Sequence, residues 1–141
     1  SKENITKIIK SSNFVSSYIK HIDPISYTTN INLNENLINY PVILEYTDKP
    51  VFKNIFFMPQ LKVIQIWNLL DTVITVDIKI FLADSLIGKI NMNIKYYIDG
   101  YKTQILIIGK WIEKSLFIPD SILESIVEET KNFISSIFDN N

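Results

Sequence analysis

The sequence predicts an α+β domain in which an antiparallel sheet curves around one long C-terminal helix, with two short helices at the N-terminus. Three observations carry this expectation. Apolar residues recur at helical spacing at both ends of the chain and at a period of two in between. A hairpin signal, Asp99-Gly100, lies between two long alternating runs. The closing amphipathic helix, roughly 121–138, has no partner helix of its own length, so its apolar stripe must be buried against the sheet.

The elements follow in order. Ile5, Ile8 and Ile9 share one helical face, and so do Phe14, Val15, Tyr18, Ile19 and Ile22. The phase breaks at Lys10-Ser11-Ser12-Asn13, where Ser or Asn can cap a second helix, so the two helices are placed at about 2–10 and 13–21. Asp23-Pro24 stops the second, because proline disfavours the α conformation in the residue before it. From Ile25 to Leu33 apolar and polar residues alternate, which predicts a half-buried strand. Further strands are expected near 40–47, 51–58, 61–67 and 72–83, followed by a loop from Asp84 to Gly88. A two-residue Asp99-Gly100 turn pairs Ile98 with Tyr101, Tyr96 with Thr103, Ile94 with Ile105 and Met92 with Ile107, all on one face. In the last helix Ile122, Ile126, Phe133 and Ile137, flanked by Leu123, Val127, Ile134 and Phe138, form a broad apolar stripe, and Ser121-Ile122-Leu123-Glu124 is a capping-box pattern with Asp120 as a competing N-cap.

Composition narrows the function classes. A chain of 141 residues makes one domain, 1–141, large enough for a self-sufficient core. It has no cysteine, which removes disulfides and thiol chemistry, and a single histidine, His21, which removes a histidine triad or a multi-histidine metal centre. Its cations are all lysines, and the missing arginine counts against sequence-specific nucleic-acid recognition. Lys79, Lys95 and Lys102 beside Tyr97 resemble a weak single-strand surface, but Asp77 and Asp99 dilute it, and no nucleic-acid partner is expected. No apolar run approaches the roughly 20 residues of a membrane span, no signal-peptide core is seen, and a soluble, cytoplasmic protein is expected. Glu124, Glu128 and Glu129 read as a solvated helix face, and with three glycines no phosphate-cradling loop is available. No cofactor, metal or catalytic motif is expected; an enzyme is the least favoured class.

The order of elements resembles the helix-grip fold of the START lipid-transfer domains, the birch-pollen-allergen family and the polyketide-cyclase-like proteins, and in scale the small START-like domains of archaea. The match is closest from Gly88 to Phe138, which runs strand, tight turn, strand, a short loop with Pro119 and the closing helix; Asn13 to Ile22 resembles the early helices. Those families usually begin with a strand ahead of the first helix, whereas this sequence begins at the helix. The resemblance implies binding or transport of a small hydrophobic, lipid-like ligand between sheet and helix. The expected lining is Ile78, Ile80, Met92, Ile94, Tyr96, Thr103, Ile105 and Ile107 from the strands, with Ile126, Phe133 and Ile137 from the helix. Tyr96 and Thr103 would give that pocket its polar handles, or be bonded within an ordinary core. A second class stands beside this one. Leu106 and Ile108 fall on the outward phase, across from Asn93 and Asn91, which suits a structural or interaction domain that forms a homodimer through its sheet and holds no ligand.

Overall fold

The computed structural model describes residues 12–29, 42–47, 51–53, 56–58, 61–69, 73–99, 102–116 and 118–139. The chain is α+β. Helix α1, Ser12–Ile22, is followed by β1 (Ser26–Thr29), β2 (Val42–Thr47), β3 (Val51–Lys53), β4 (Phe56–Met58), β5 (Lys62–Leu69), β6 (Val73–Leu82), β7 (Ser85–Asp99) and β8 (Lys102–Lys114), and then by α2, Ser121–Asp139. Six strands form one antiparallel sheet in the order β1-β2-β5-β6-β7-β8, and β3 and β4 pair only with each other. The expected first helix, 2–10, lies outside the described residues, as does the end of the first expected strand at 30–33.

Burial follows the period of two. Along β6, Ile74, Val76, Ile78 and Ile80 are buried while Asp77 and Lys79 are exposed, and β7 repeats this with Ile90, Met92 and Ile94. Both helices lie on that inner face. Helix α1 inserts Tyr18 against Trp67 of β5, edge to face at 5.8 Å between ring centroids. Helix α2 directs Leu123, Ile126, Val127, Phe133 and Ile134 inward, a stripe at i, i+3 and i+4 spacing. Phe133 joins the two helices, with its ring 5.0 Å from Tyr18 and 5.2 Å from His21.

Four local expectations are corrected. First, the innermost pair of the long hairpin lies one residue further along the chain, with Asp99 opposite Lys102, Tyr96 opposite Ile105, Ile94 opposite Ile107 and Met92 opposite Gly109. A shift of two residues keeps every side chain on its face and changes only its partners. Tyr96 and Thr103 are therefore not opposite each other, because Thr103 faces Ile98. Leu106 and Ile108 stand across from Lys95 and Asn93, not from Asn93 and Asn91. Gly100 and Tyr101, between the two strands, lie outside the described residues.

Second, the expected loop from Asp84 to Gly88 shrinks to a tight turn at Ala83-Asp84 and 85–88 is strand, with Leu82 paired to Ser85 and Ala83 in the left-handed region at φ 52°. A bulge after Ile80 absorbs the odd residue, and the Ile87 carbonyl it frees accepts the Ser115 amide at 2.8 Å. Third, 51–58 is two short strands. Fourth, β1 is exposed along its whole length instead of half-buried, because it is an edge strand that neither helix covers among the described residues.

Ends of helices are handled by local polar groups. Asp23 ends α1 in the left-handed region at φ 53°, and its amide donates to the Ile19 carbonyl at 2.7 Å. Asp tolerates this conformation, so the helix stops at Asp23-Pro24 as expected, with the residue before proline outside the right-handed α region in an αL cap. Ahead of α2, the half-buried Lys114 ammonium donates to the Ile118 carbonyl at 2.7 Å and the Ser115 carbonyl at 3.3 Å, and lies 3.1 Å from the Asp120 carboxylate. Three acceptors on one ammonium fix the turn that aims α2 at the sheet. Lys114→Met is expected to lower stability by about 1–2 kcal/mol in urea unfolding, mostly through the two carbonyls, since Asp120 is largely solvated. A loss below about 0.3 kcal/mol would remove the turn-fixing role.

Candidate functional site

Three regions could carry function: the layer between the sheet and the helices, the outward side of β8, and a groove between α1 and α2 at His21.

The inner layer holds most of the residues expected to line a ligand space. Ile78, Ile80, Met92, Ile94 and Phe133 are buried in one continuous core. Ile105, Ile107 and Ile126 are partly buried and pack against it. The side chains of Tyr96, Thr103 and Ile137 lie outside the described residues. Helix α2 packs close over β8 at Gly109. A Cβ built there would lie 2.7 Å from Val127 Cγ2 and 3.2 Å from Leu123 Cδ1, so the missing side chain is what lets the helix descend onto the strand. Away from this point the seam between β8 and α2 is partly open, with Ile105, Ile107, Trp111 and Ile126 half-buried.

Sequence reasoning missed the polar centre of this layer. Gln65, 2% exposed, sits on the inward phase of β5 between Val63 and Trp67. Its Oε1 accepts from Trp67 Nε1 at 2.9 Å and from the Tyr18 hydroxyl at 3.1 Å, and its Nε2 donates to the Tyr46 hydroxyl at 3.1 Å. Among the described residues no buried side-chain nitrogen or oxygen lacks a partner. The cluster therefore ties α1, β2 and β5 together and offers no vacant polar group to a ligand. The available signal was one polar residue on an apolar phase.

The outer face divides into two chemistries. Across β6 and β7 it is a polar ladder, in which Asn91 Nδ2 donates to Asp77 Oδ1 at 2.9 Å and Thr75 Oγ1 donates to Asn93 Oδ1 at 3.3 Å. On the far side, Lys62 Nζ lies 2.6 Å from Glu45 Oε1. That hydrogen bond, then the carboxylate's charge, raises the Lys62 pKa above its ordinary 10.5. On the alkaline side the lysine's share of this contribution is complete at neutral pH and is lost as pH rises through the raised value.

Strand β8 is different. Its outward side chains Leu106, Ile108 and Ile112 are 47%, 52% and 56% exposed, on the last strand of the sheet. Between Lys102 and Trp111 its ladder with β7 is regular; Ile112 is the extra residue of a bulge, since Ile90 pairs with Trp111 while Lys89 pairs with Glu113. Beyond the β7 ladder, no hydrogen bond to the backbone of 102–113 is found among the described residues. An unpaired edge with an apolar face is a template for another strand.

A third region is a shallow groove lined by His21, Ser121, Glu124, Ser125, Glu128, Glu129 and Asn132. His21 Nε2 lies 3.7 Å from Glu129 Oε1, so the histidine at the end of α1 faces α2. Among the described residues no group of three or more His, Asp or Glu side chains is arranged to hold a metal ion, and no helix is long and apolar enough to cross a membrane. Compared with known proteins, the chain matches no family model, no curated protein and no solved structure.

Proposed function

We propose that this chain is a protein-interaction domain whose working surface is the free edge and outer face of β8. The observation that carries this is the exposure of Leu106, Ile108 and Ile112 on a strand whose outer edge pairs with no other strand among the described residues. A monomeric protein normally blunts such an edge with charge, and between Gln104 and Ile112 the outward positions hold only one charged residue, Lys110. Strand addition would satisfy the open backbone groups and bury the apolar side chains together. Light scattering over a range of concentrations tests this. The mass is expected to rise above that of the monomer, and Leu106→Lys to return it to the monomer while changing unfolding free energy by less than about 0.5 kcal/mol, as for a surface substitution. A wild-type chain that stays monomeric throughout overturns self-association.

A second reading has its own support. The half-buried seam between β8 and α2 is where a small hydrophobic molecule would enter or lie, in keeping with the helix-grip resemblance. The lining would be Ile105, Ile107 and Ile126 at the seam, with Met92, Ile94 and Phe133 beneath. Native mass spectrometry of freshly purified protein, followed by organic extraction, separates the two. The interaction reading expects ligand-free protein; a stoichiometric apolar molecule would move the assignment to ligand binding.

A further inference from the structure

From the register of β8 we infer that its occupant is the β8 strand of a second copy of this chain, paired antiparallel about a two-fold axis at Ile107. The inference rests on the reading of β8 as an interaction surface and adds the partner and the alignment.

A two-fold axis perpendicular to the sheet joins two edges so that outward residues meet outward residues, which restricts the pairing to registers shifted by two. The bulge at Ile112 bends the strand, leaving the stretch from Lys102 to Trp111 straight enough for a regular ladder. Centred on Ile107, Leu106 of each copy stands opposite Ile108 of the other, and Gln104 opposite Lys110. The four apolar side chains then form one cluster, flanked at each end by a glutamine and a lysine stem. Centred on Ile108, Leu106 is set against Lys110 and the bulge enters the ladder opposite Gln104. Centred on Lys110, two ammonium groups meet, which is repulsive. Lys110 thus selects the register while opposing others. A formal net charge of −1 leaves little overall repulsion between copies.

The chain contains no cysteine, so introduced thiols report on this geometry alone. Leu106→Cys and Ile108→Cys chains are prepared separately and oxidised under mild conditions, alone and mixed. In this register identical residues of the two copies, 106 with 106 or 108 with 108, lie diagonally across the ladder at roughly 7–8 Å, too far for an unstrained bridge. The expected result is a covalent dimer in the mixture, at least about fivefold above either chain alone, because only opposed residues meet disulfide geometry. Strong crosslinking of Ile108→Cys with itself places the axis at Ile108 and overturns the register, while leaving β8 as the interaction surface. Association that continues beyond a dimer, as pairing of β8 with β1 of the next copy would give, overturns the two-fold arrangement. No crosslink in any sample, from chains that remain monomeric, overturns both the inference and the reading beneath it.

Discussion

Replacing Gln65 with leucine is expected to lower the unfolding free energy by roughly 2–4 kcal/mol, although the two side chains are close in volume. Leucine removes the acceptor shared by Trp67 Nε1 and the Tyr18 hydroxyl, together with the donor to the Tyr46 hydroxyl. In a layer of low dielectric, these polar tips of aromatic rings pay a desolvation cost that water no longer offsets. The damage should be local in origin: α1 is held to the sheet by Tyr18, so amides of α1 should lose protection before those of β6 and β7. Urea unfolding with hydrogen exchange checks both parts. Gln65→Leu within about 0.5 kcal/mol of the wild type would show that packing alone holds this region.

Substituting Gly109 is expected to cost about as much, for a steric reason. The backbone there is not in the left-handed region, so alanine suits the strand and the whole penalty comes from α2. A Cβ meeting Val127 Cγ2 at 2.7 Å requires a shift, and valine is stiff within a helix, so the helix itself must move. Gly109→Ala should destabilise by roughly 1–3 kcal/mol, the usual range for overpacking. Val127→Ala removes the atom in the way, and in the double variant the two changes should be less costly than their sum by about 1 kcal/mol or more. Additive penalties would contradict the close docking of α2 on β8.

These two positions show where sequence reasoning reached and where it stopped. The inward phase of β6, β7 and β8 was readable because a period of two is a local property, visible in Ile74 to Ile80 and again in Ile90 to Ile94. The amphipathic helix α2 and its place on the sheet were readable for the same reason. Partners were not. Asp99-Gly100 and Gly100-Tyr101 are both acceptable two-residue connections, and they preserve the same faces, so periodicity cannot choose between them. Gln65 was missed: it is one polar residue between Val63 and Trp67, its partner Tyr18 is 47 residues away, and only the folded chain brings them together. Gly109 gave no local sign of its role, which depends on the height at which α2 crosses. Leu106 and Ile108 were legible as outward apolar residues, whereas the bulge that exposes Ile112 beside them came from a ladder mismatch that no local pattern records.

The measurement that tests the central claim most directly is hydrogen exchange of the β8 backbone as a function of protein concentration. Along a strand, alternate amides point to β7 and to the free edge. If β8 is the interaction surface, edge-facing amides between Lys102 and Trp111 should exchange rapidly in dilute solution and become protected as concentration rises, while those of β6 stay protected throughout. Edge-facing amides that exchange at one fast rate at every concentration would contradict it.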